Sequence, residues 1–240
     1  MAAYNNASAS NFKAFADAAA FDVTSLTVAM WLRQRTLSAS AFSFASRALT
    51  ALDNGAWRMR NQGTNTVRFS VRTSDGVNNA ATTTTISVAN TWQHLVGRCD
   101  IPSLLIKIFN NGTEEGSTAI AGGATITALA RDIRLFQNVS GAEACDADIA
   151  EFAMWDAVLT QAEITSLAAG VDPEMIRPTG RILCDQIFLG SKDRVRSLGT
   201  ETGTLVAAAH PIQVRRNKRV IVSKPAAVTA VNRSRFFFAA

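Results

Sequence analysis

The sequence lacks the features of a membrane protein or an exported one. No apolar run approaches the ~18–20 residues that a transmembrane helix needs. The N-terminal segment MAAYNNASASNFKAF has neither a basic nor an apolar region, so we expect no signal peptide. The three cysteines, Cys99, Cys145 and Cys184, are odd in number and lie far apart in apolar surroundings. They predict buried thiols in a reducing compartment rather than a disulfide framework.

Signatures of catalytic and cofactor sites are scarce as well. The chain has two histidines, and it contains no GxSxG, P-loop, dinucleotide-binding or zinc-binding pattern. The aspartates that would suit calcium do not cluster in a DxDxD loop; they are Asp100, Asp146, Asp148 and Asp156. The sequence therefore predicts no cofactor and no bound metal.

Acidic residues are absent from the C-terminal segment. Residues 211–240 contain seven basic residues, so the net charge of +5 leaves −2 for residues 1–210. Apolar residues alternate with these charges, and phenylalanines follow them. The basic and aromatic residues are Arg215, Arg216, Lys218, Arg219, Lys224, Arg233, Arg235, Phe236, Phe237 and Phe238. This composition predicts a docking arm that adds a strand to a neighbour's sheet edge; the alternative is a strand pair folded on its own domain.

The rest of the chain consists mainly of short predicted strands. In LTVAMWLR (26–33) and VRFSVR (67–72), apolar residues occupy every second position, as in a strand with one buried face. Gln62-Gly63 predicts a hairpin between 57–60 and 67–72, and Asn111-Gly112 predicts a tight turn after LLIKIF (104–109). Further predicted strands are 82–88, 92–99, 132–136, 148–155 and 181–189. The pattern favours an all-β fold, an antiparallel sandwich or jelly roll.

One helix interrupts the strands, at TQAEITSLAAG (160–170). Thr160 and Glu163 have the spacing of a capping box, and Gly170 stands where a C-terminal αL residue belongs. Ile164 and Leu167 are its apolar anchors. We expect about three turns of helix lying across one end of the sandwich.

Four segments follow one another in an order typical of a known family. They are LTVAMWLR, NTWQHLVGRCD (90–100), the strand–turn–strand segment LLIKIFNNGTEEGS (104–117), and the strand and helix of DIAEFAMWDAVLTQAEITSLAAG (148–170). Together they resemble the laminin-G-like jelly roll of the concanavalin A-like lectin/glucanase superfamily. The resemblance covers roughly residues 8–170 and implies a concanavalin A-like sandwich.

The next segment, RPTGRILCDQIFLGSKDRVRSLGTETGTLVAAAHP (177–211), is similar to the ending of laminin-G-like proteins encoded among virion genes of tailed bacteriophages. The resemblance implies a virion protein that assembles in the bacterial host cytoplasm. It also implies other virion proteins as partners and a homo-oligomer within the assembly. The chain accordingly divides into a jelly-roll domain (1–175), C-terminal strands that complete or flank the sandwich (176–210) and the docking arm (211–240).

Carboxylates near the closing strand raise the question of hydrolase activity. Related glucanases use two glutamates on one strand face with an aspartate between them, but here the first position is Asp146, one methylene shorter. Strand alternation places Asp146 and Asp148 on one face and Glu151 on the other, unless a bulge intervenes. Retaining hydrolysis needs two carboxyl groups ~5–5.5 Å apart. We therefore expect no enzyme and assign no catalytic residue.

Arginines recur at alternate positions of the predicted hairpin. Arg58 and Arg60 share one face of a strand, and Arg68 and Arg72 share one face of its partner. If the strands pair, the four side chains project from one side of the sheet. They then form either an ordinary solvated face or a docking patch for an acidic surface.

Two functional hypotheses follow. The first is a non-enzymatic structural protein of a tailed-phage virion, a capsid decoration or cement protein docked through the arm. The alternative is a carbohydrate-binding module on a phage head or tail appendage that contacts host glycans. No membrane partner is expected. Nucleic acid is a weaker candidate, because an arm that binds it would be more polar than residues 211–240.

Overall fold

The computed structural model describes residues 3–6, 12–37, 40–49, 55–63, 65–123, 125–185 and 203–206, which form an antiparallel β-sandwich. Its one α-helix is α1 (Gln161–Ala168). The strands are β1 (Ala3–Asn6), β2 (Phe12–Phe15), β3 (Leu26–Gln34), β4 (Ser43–Ala48), β5 (Gly55–Asn61), β6 (Val67–Arg72), β7 (Asn78–Thr82), β8 (Trp92–Asp100), β9 (Leu105–Asn110), β10 (Thr113–Ala119), β11 (Ile133–Leu135), β12 (Asp146–Trp155), β13 (Arg181–Asp185) and β14 (Gly203–Val206). The predicted all-β jelly-roll class is confirmed.

The strands form two sheets. In the first sheet the order is β1-β12-β3-β8-β9-β10, and β13 pairs with β12 along the same edge as β1. In the second sheet the order is β14-β2-β11-β4-β5-β6-β7. Both predicted hairpins are present, β5–β6 and β9–β10. Asn111 and Gly112 have φ angles of 50° and 84°, the left-handed pair that a tight hairpin turn requires.

The main core lies between the sheets and follows the predicted alternation. On β3, Val28, Met30 and Leu32 are fully buried in it, while the residues between them face outward. Gly97 on β8 makes room for a ring from the opposite sheet, since a Cβ atom there would lie 2.3 Å from Cγ of Phe69. The glycine therefore sets how closely the two sheets pack at this point.

The helix begins as predicted but lies in a different place. The Thr160–Glu163 capping box is formed, and Gly170 has a φ of 96° after the last turn. With eight residues, α1 is shorter than expected. Ile164 and Leu167 belong to a second apolar cluster on the outward side of the first sheet, and not across one end of the sandwich. The outer surface of the first sheet is apolar at this position, and the helix buries it with its own apolar side chains.

One further predicted strand needs correction, and another is described only in part. The predicted strand 82–88 is wrong, because β7 ends at Thr82 and both Ile86 and Val88 are exposed. At this point the Thr83 hydroxyl accepts a hydrogen bond from the backbone N–H of Val67, and the ladder does not continue. The strand predicted at 181–189 is described only as far as Asp185. Strand β4 was not predicted at all.

The structure describes all three cysteines and the helix that was predicted from the sequence. Cys99, Cys145 and Cys184 are buried and form no disulfide, as predicted. Within the described part of the chain, no helix is both long and apolar enough to cross a membrane.

Candidate functional site

The aspartates of the closing strand are engaged by neighbouring side chains. Asp148 is fully buried, and its Oδ2 atom accepts a hydrogen bond from Nε of Arg33 at 2.6 Å. Arg35 donates to both oxygens of the same carboxylate, at 3.1 and 3.0 Å. Oδ2 of Asp146 accepts a hydrogen bond from the hydroxyl of Thr36. Asp148 is thus the centre of a structural ion-pair cluster and is not a free acid or nucleophile.

The bulge that would disturb strand alternation is present, and it falls at Glu151. Ala150 pairs with Trp31 and Ala153 with Ala29, so two residues of β12 lie opposite one residue of β3. Glu151 itself has a φ of 52°. The simple alternation that separated Asp148 from Glu151 therefore does not hold along this strand. Glu151 is also buried, which keeps its carboxylate away from a saccharide in solvent.

The tryptophans offer little open surface for stacking. Trp57 and Trp155 are fully buried. Trp31 and Trp92 are half-buried on the outward side of the first sheet. The ring of Trp31 lies 5.1 Å from that of His94, and the guanidinium of Arg33 lies 5.3 Å from the ring of Trp92. Part of each ring surface is therefore already covered by a neighbour.

The four predicted arginines do come together on one side of the second sheet. Trp57, Met59 and Phe69 point into the core, so the alternate residues of β5 and β6 point outward. We call this outward side the arginine face; its residues on β5 and β6 are Arg58, Arg60, Arg68, Ser70 and Arg72. In register, Arg58 is opposite Ser70 and Arg60 is opposite Arg68.

Arg58 is neutralised by an acid that the sequence reasoning missed. Its Nη1 atom donates to both carboxylate oxygens of Glu143, at 3.2 and 3.0 Å. The hydroxyl of Ser43 also donates to Oε2 of Glu143, at 2.7 Å. The backbone N–H of Ser43 donates to the carbonyl oxygen of Glu143, at 2.9 Å. These bonds hold the 136–145 loop against the arginine face.

The pKa of Arg58 reflects this mixed environment. Burial lowers it below the ordinary arginine value, and the charge and hydrogen bond of Glu143 oppose that change. The positive charges of Arg60 and Arg68 lower it further. The guanidinium groups of Arg58, Arg60 and Arg68 therefore interact electrostatically, and Glu143 pairs with that of Arg58.

Arg60 and Arg68 have no such counter-charge. Among the described residues, no carboxylate pairs with either side chain; Arg68 donates only a long hydrogen bond of 3.4 Å, to Oε1 of Gln62. Burial lowers the pKa of Arg68, and the neighbouring charge of Arg60 lowers it further. Both are half-buried, so their guanidinium groups remain within reach of solvent. They can donate several hydrogen bonds to an anion.

A further arginine lies on the same side of the sheet, two strands away from β5. Arg134 on β11 pairs in register with Ser46, and Ser46 pairs with Arg58. Its guanidinium lies 4.4 Å from the ring of Phe12. Strand alternation in 132–136 indicates that Arg134 faces outward, because its neighbours Ile133 and Leu135 are both in the core. Glu143 and Ser43 carry no comparable signal, since one lies in a loop and the other in a strand that was not predicted.

The remaining site predictions are not decided by the geometry. Within the described ranges, no three histidine, cysteine or acidic side chains form a group able to hold a metal ion. All the predicted arm residues lie outside the described residues: Arg215, Arg216, Lys218, Arg219, Lys224, Arg233, Arg235, Phe236, Phe237 and Phe238. Their docking role stays a prediction.

A family model places the chain among known proteins. The model Laminin_G_3, described as the concanavalin A-like lectin/glucanases superfamily, matches residues 6–165. That range contains both hairpins, the arginine face and the start of α1. No relative among the curated proteins matches the sequence.

Solved structures with the same fold are distant in sequence. A putative carbohydrate binding protein from Bacteroides ovatus is 15% identical with a TM-score of 0.60, over 89% of this chain and 61% of that one. A heptameric SAP-like pentraxin from Limulus polyphemus is 12% identical with a TM-score of 0.53, over 82% and 92%. The binding domain of botulinum neurotoxin serotype G is 13% identical with a TM-score of 0.52, over 65% and 39%. At these identities the likeness shows the fold alone.

Proposed function

We propose that this chain, which belongs to the concanavalin A-like lectin/glucanases superfamily, is a non-enzymatic carbohydrate-binding module. The observation that carries the proposal is the arginine face, where Arg60 and Arg68 point outward without a counter-charge among the described residues. Binding sites place a few polar groups at fixed positions on a rigid scaffold, and a paired β-hairpin within a seven-stranded sheet provides one. A solved neighbour with the same fold is a putative carbohydrate binding protein.

The state of the carboxylates supports a module without hydrolase activity. Glycoside hydrolysis uses an acid and a nucleophile or base on either side of the scissile bond. Asp148 is held by Arg33 and Arg35, and Glu151 is buried at the bulge of β12. A saccharide on the arginine face contacts donors instead, namely the guanidinium groups of Arg60 and Arg68. Such groups bind an oxygen-rich ligand but do not cleave it.

The test is a glycan array probed with the purified protein and with the double variant Arg60→Ala/Arg68→Ala. We expect the wild type to bind a subset of glycans and the double variant to lose those signals. Lys107→Ala is the matched control, because it removes a positive charge on β9 in the other sheet, where Lys107 pairs with Glu114. Absence of any glycan signal, or equal loss in the control, contradicts the proposal.

The virion hypothesis stays a second candidate, and it rests on sequence. Its supporting observation is the segregation of charge, with seven basic and no acidic residues in 211–240 against −2 in the rest of the chain. Deleting 211–240 tests it, by co-sedimentation with phage capsid shells. We expect the full-length protein to sediment with the shells and the truncated protein to remain free. Equal behaviour of the two proteins contradicts the docking role without affecting glycan binding.

A further inference from the structure

We infer that the arginine face selects anionic saccharides, and that Arg60 and Arg68 together hold a carboxylate group of the sugar. This inference rests on the proposed carbohydrate-binding function and adds the charge of the ligand. The arginines of the described residues differ in their hydrogen-bond partners. Most of the described arginines donate to a carboxylate or a backbone carbonyl, whereas Arg60 and Arg68 do not.

The buried arginine of β4 shows what a structural arginine looks like here. Arg47 is fully buried, and it donates to the carboxylates of Asp17 and Asp22 at 2.7 and 2.8 Å. It also donates to the backbone carbonyls of Phe21, Leu129 and Arg131. Every part of this guanidinium has a partner, which is the usual state of a buried charge.

Arg60 and Arg68 differ from Arg47 in this respect. Within the described residues, Arg60 donates to no carboxylate and no backbone carbonyl, and Arg68 donates only to Gln62. The Nε atoms of both are enclosed by protein without a hydrogen-bond partner. These two keep their outer N–H groups for a ligand.

Register brings the two guanidinium groups close enough to share one anion. Residues directly opposite each other on antiparallel strands have Cβ atoms about 5 Å apart, and Arg60 and Arg68 are such a pair. Planar guanidinium groups bind the two oxygens of a carboxylate in a fork geometry. A carboxylate between them would remove the repulsion between like charges. The half-buried side chain of Thr82, which is opposite Arg68 in register, lies beside the pair and can contact a sugar hydroxyl.

Glu143 limits how many anionic groups the face accepts. It occupies Arg58 and stands at the side of the arginine pair, where it repels a second anion. Residues 1–210 carry a net charge of −2, so this part of the chain has no overall positive charge to attract a polyanion. Nucleic-acid binding usually engages many phosphates at once. A surface with one arginine pair bordered by a glutamate suits isolated carboxylates on a saccharide better.

The experiment measures binding of hyaluronan, alginate and pectate oligosaccharides, each compared with its carboxyl methyl ester. Esterification keeps the sugar backbone and removes the charge. We expect the wild type to bind at least one of the acidic oligosaccharides and to lose at least about tenfold in affinity for its ester. Arg60→Gln and Arg68→Gln should each cause a comparable loss, and Lys107→Ala should cause none.

The variant Glu143→Gln is expected to change the affinity for the acidic oligosaccharide in the opposite direction. It keeps an oxygen acceptor for Ser43 and removes the negative charge, so affinity for the acidic oligosaccharide should rise about two- to fivefold. A purely structural role for Glu143 would not strengthen binding. Thermal unfolding of each variant shows whether the fold is retained.

The possible results separate the two proposals. Array binding to neutral glycans alone, or equal affinity for acid and ester, overturns the inference and leaves carbohydrate binding in place. No binding to any saccharide overturns the proposed function and the inference with it. Binding to duplex DNA that falls steeply with salt, without binding to the acidic oligosaccharides, identifies a phosphate-binding surface and also overturns the inference.

Discussion

Arg60 and Arg68 are register partners on β5 and β6, so two side chains of the same charge project from directly opposite positions of the hairpin. No carboxylate of the described residues pairs with either one. Repulsion from Arg60 adds to burial in lowering the pKa of Arg68. Like charges in this position destabilise a sheet. A pair of this kind lowers stability in the free protein and gains a favourable partner when an anion binds.

Replacing Arg60 with threonine is therefore expected to raise the free energy of unfolding while it weakens ligand binding. The gain should be up to about 0.5 kcal/mol, because threonine suits a strand and the repulsion with Arg68 is removed. Urea unfolding at low and high sodium chloride measures it. Salt screens the repulsion, so the wild type should gain more stability from added salt than the variant does. A variant less stable than the wild type at low salt would contradict this account.

Gly97→Ala should destabilise the sandwich by about 1–3 kcal/mol. A Cβ atom at this position would lie 2.3 Å from Cγ of Phe69, so a ring in the core must move or the sheets must separate. Gly180→Ala is the control, because the nearest atom to a Cβ there is the carboxylate oxygen of Asp156 at 3.1 Å. Chemical unfolding of both variants makes the comparison. Adding Phe69→Leu to Gly97→Ala should recover part of the loss, and failure to do so would place the strain elsewhere.

Glu163 should make stability depend on pH in the acid range. Burial raises its pKa, but hydrogen bonds from Arg177 and Thr160 outweigh that effect and hold it below the ordinary value. With the folded pKa below the unfolded one, the stabilisation is complete above the unfolded pKa of about 4.3. It is lost as the pH falls through the folded value.

The measurement for Glu163 is the free energy of unfolding between about pH 5 and pH 3. Glu163→Gln should reduce the fall in stability across this range. Thr160→Ser keeps the hydroxyl that accepts from the backbone N–H of Glu163, and its pH profile should match that of the wild type. Identical profiles for wild type and Glu163→Gln would show that the Arg177 ion pair is not formed in solution.

The cysteines should not react with thiol reagents while the protein is folded. Burial, together with the charge of Asp100, raises the pKa of Cys99 to about 12. Burial also raises the pKa of Cys145, and Cys184 is fully enclosed. The thiolate is the reactive form, so at about pH 8 almost none is present. A colorimetric thiol assay should count no cysteine in the native protein and three in denaturant; rapid native labelling would mean that the sandwich opens readily.

Local sequence signals predicted those elements that depend on neighbouring residues. The capping box of Thr160 and Glu163, the Asn111-Gly112 turn and the β5–β6 hairpin are all set by contacts within a few residues. The segment 82–88 shows the limit of such signals. Its threonines, isoleucine and valine favour a strand, but no neighbouring strand continues beside it, and β propensity forms no sheet without a partner.

In the candidate site, too, some features follow from the local sequence pattern and others depend on tertiary contacts. Alternation on β5 and β6 was enough to predict that Arg58, Arg60, Arg68 and Arg72 share one side of the sheet. The ion pair of Arg58 with Glu143 joins residues 85 positions apart, through a loop that no periodic pattern marks. The bulge at Glu151 likewise depends on how β12 fits against β3. Neither could be read from the sequence.

The sequence by itself determined the class of fold, the hairpins, the helix start and which arginines lie on one side of a sheet, because hydrophobic periodicity and turn chemistry act over short distances. Only the tertiary structure decided which of those arginines has a counter-charge. Glu143 reaches Arg58 and leaves Arg60 and Arg68 without an acid among the described residues, and that choice depends on a loop from another part of the chain. The charge of a surface is a property of residues brought together in space. Its chemistry therefore appears only when the sheet and its covering loop are both in place.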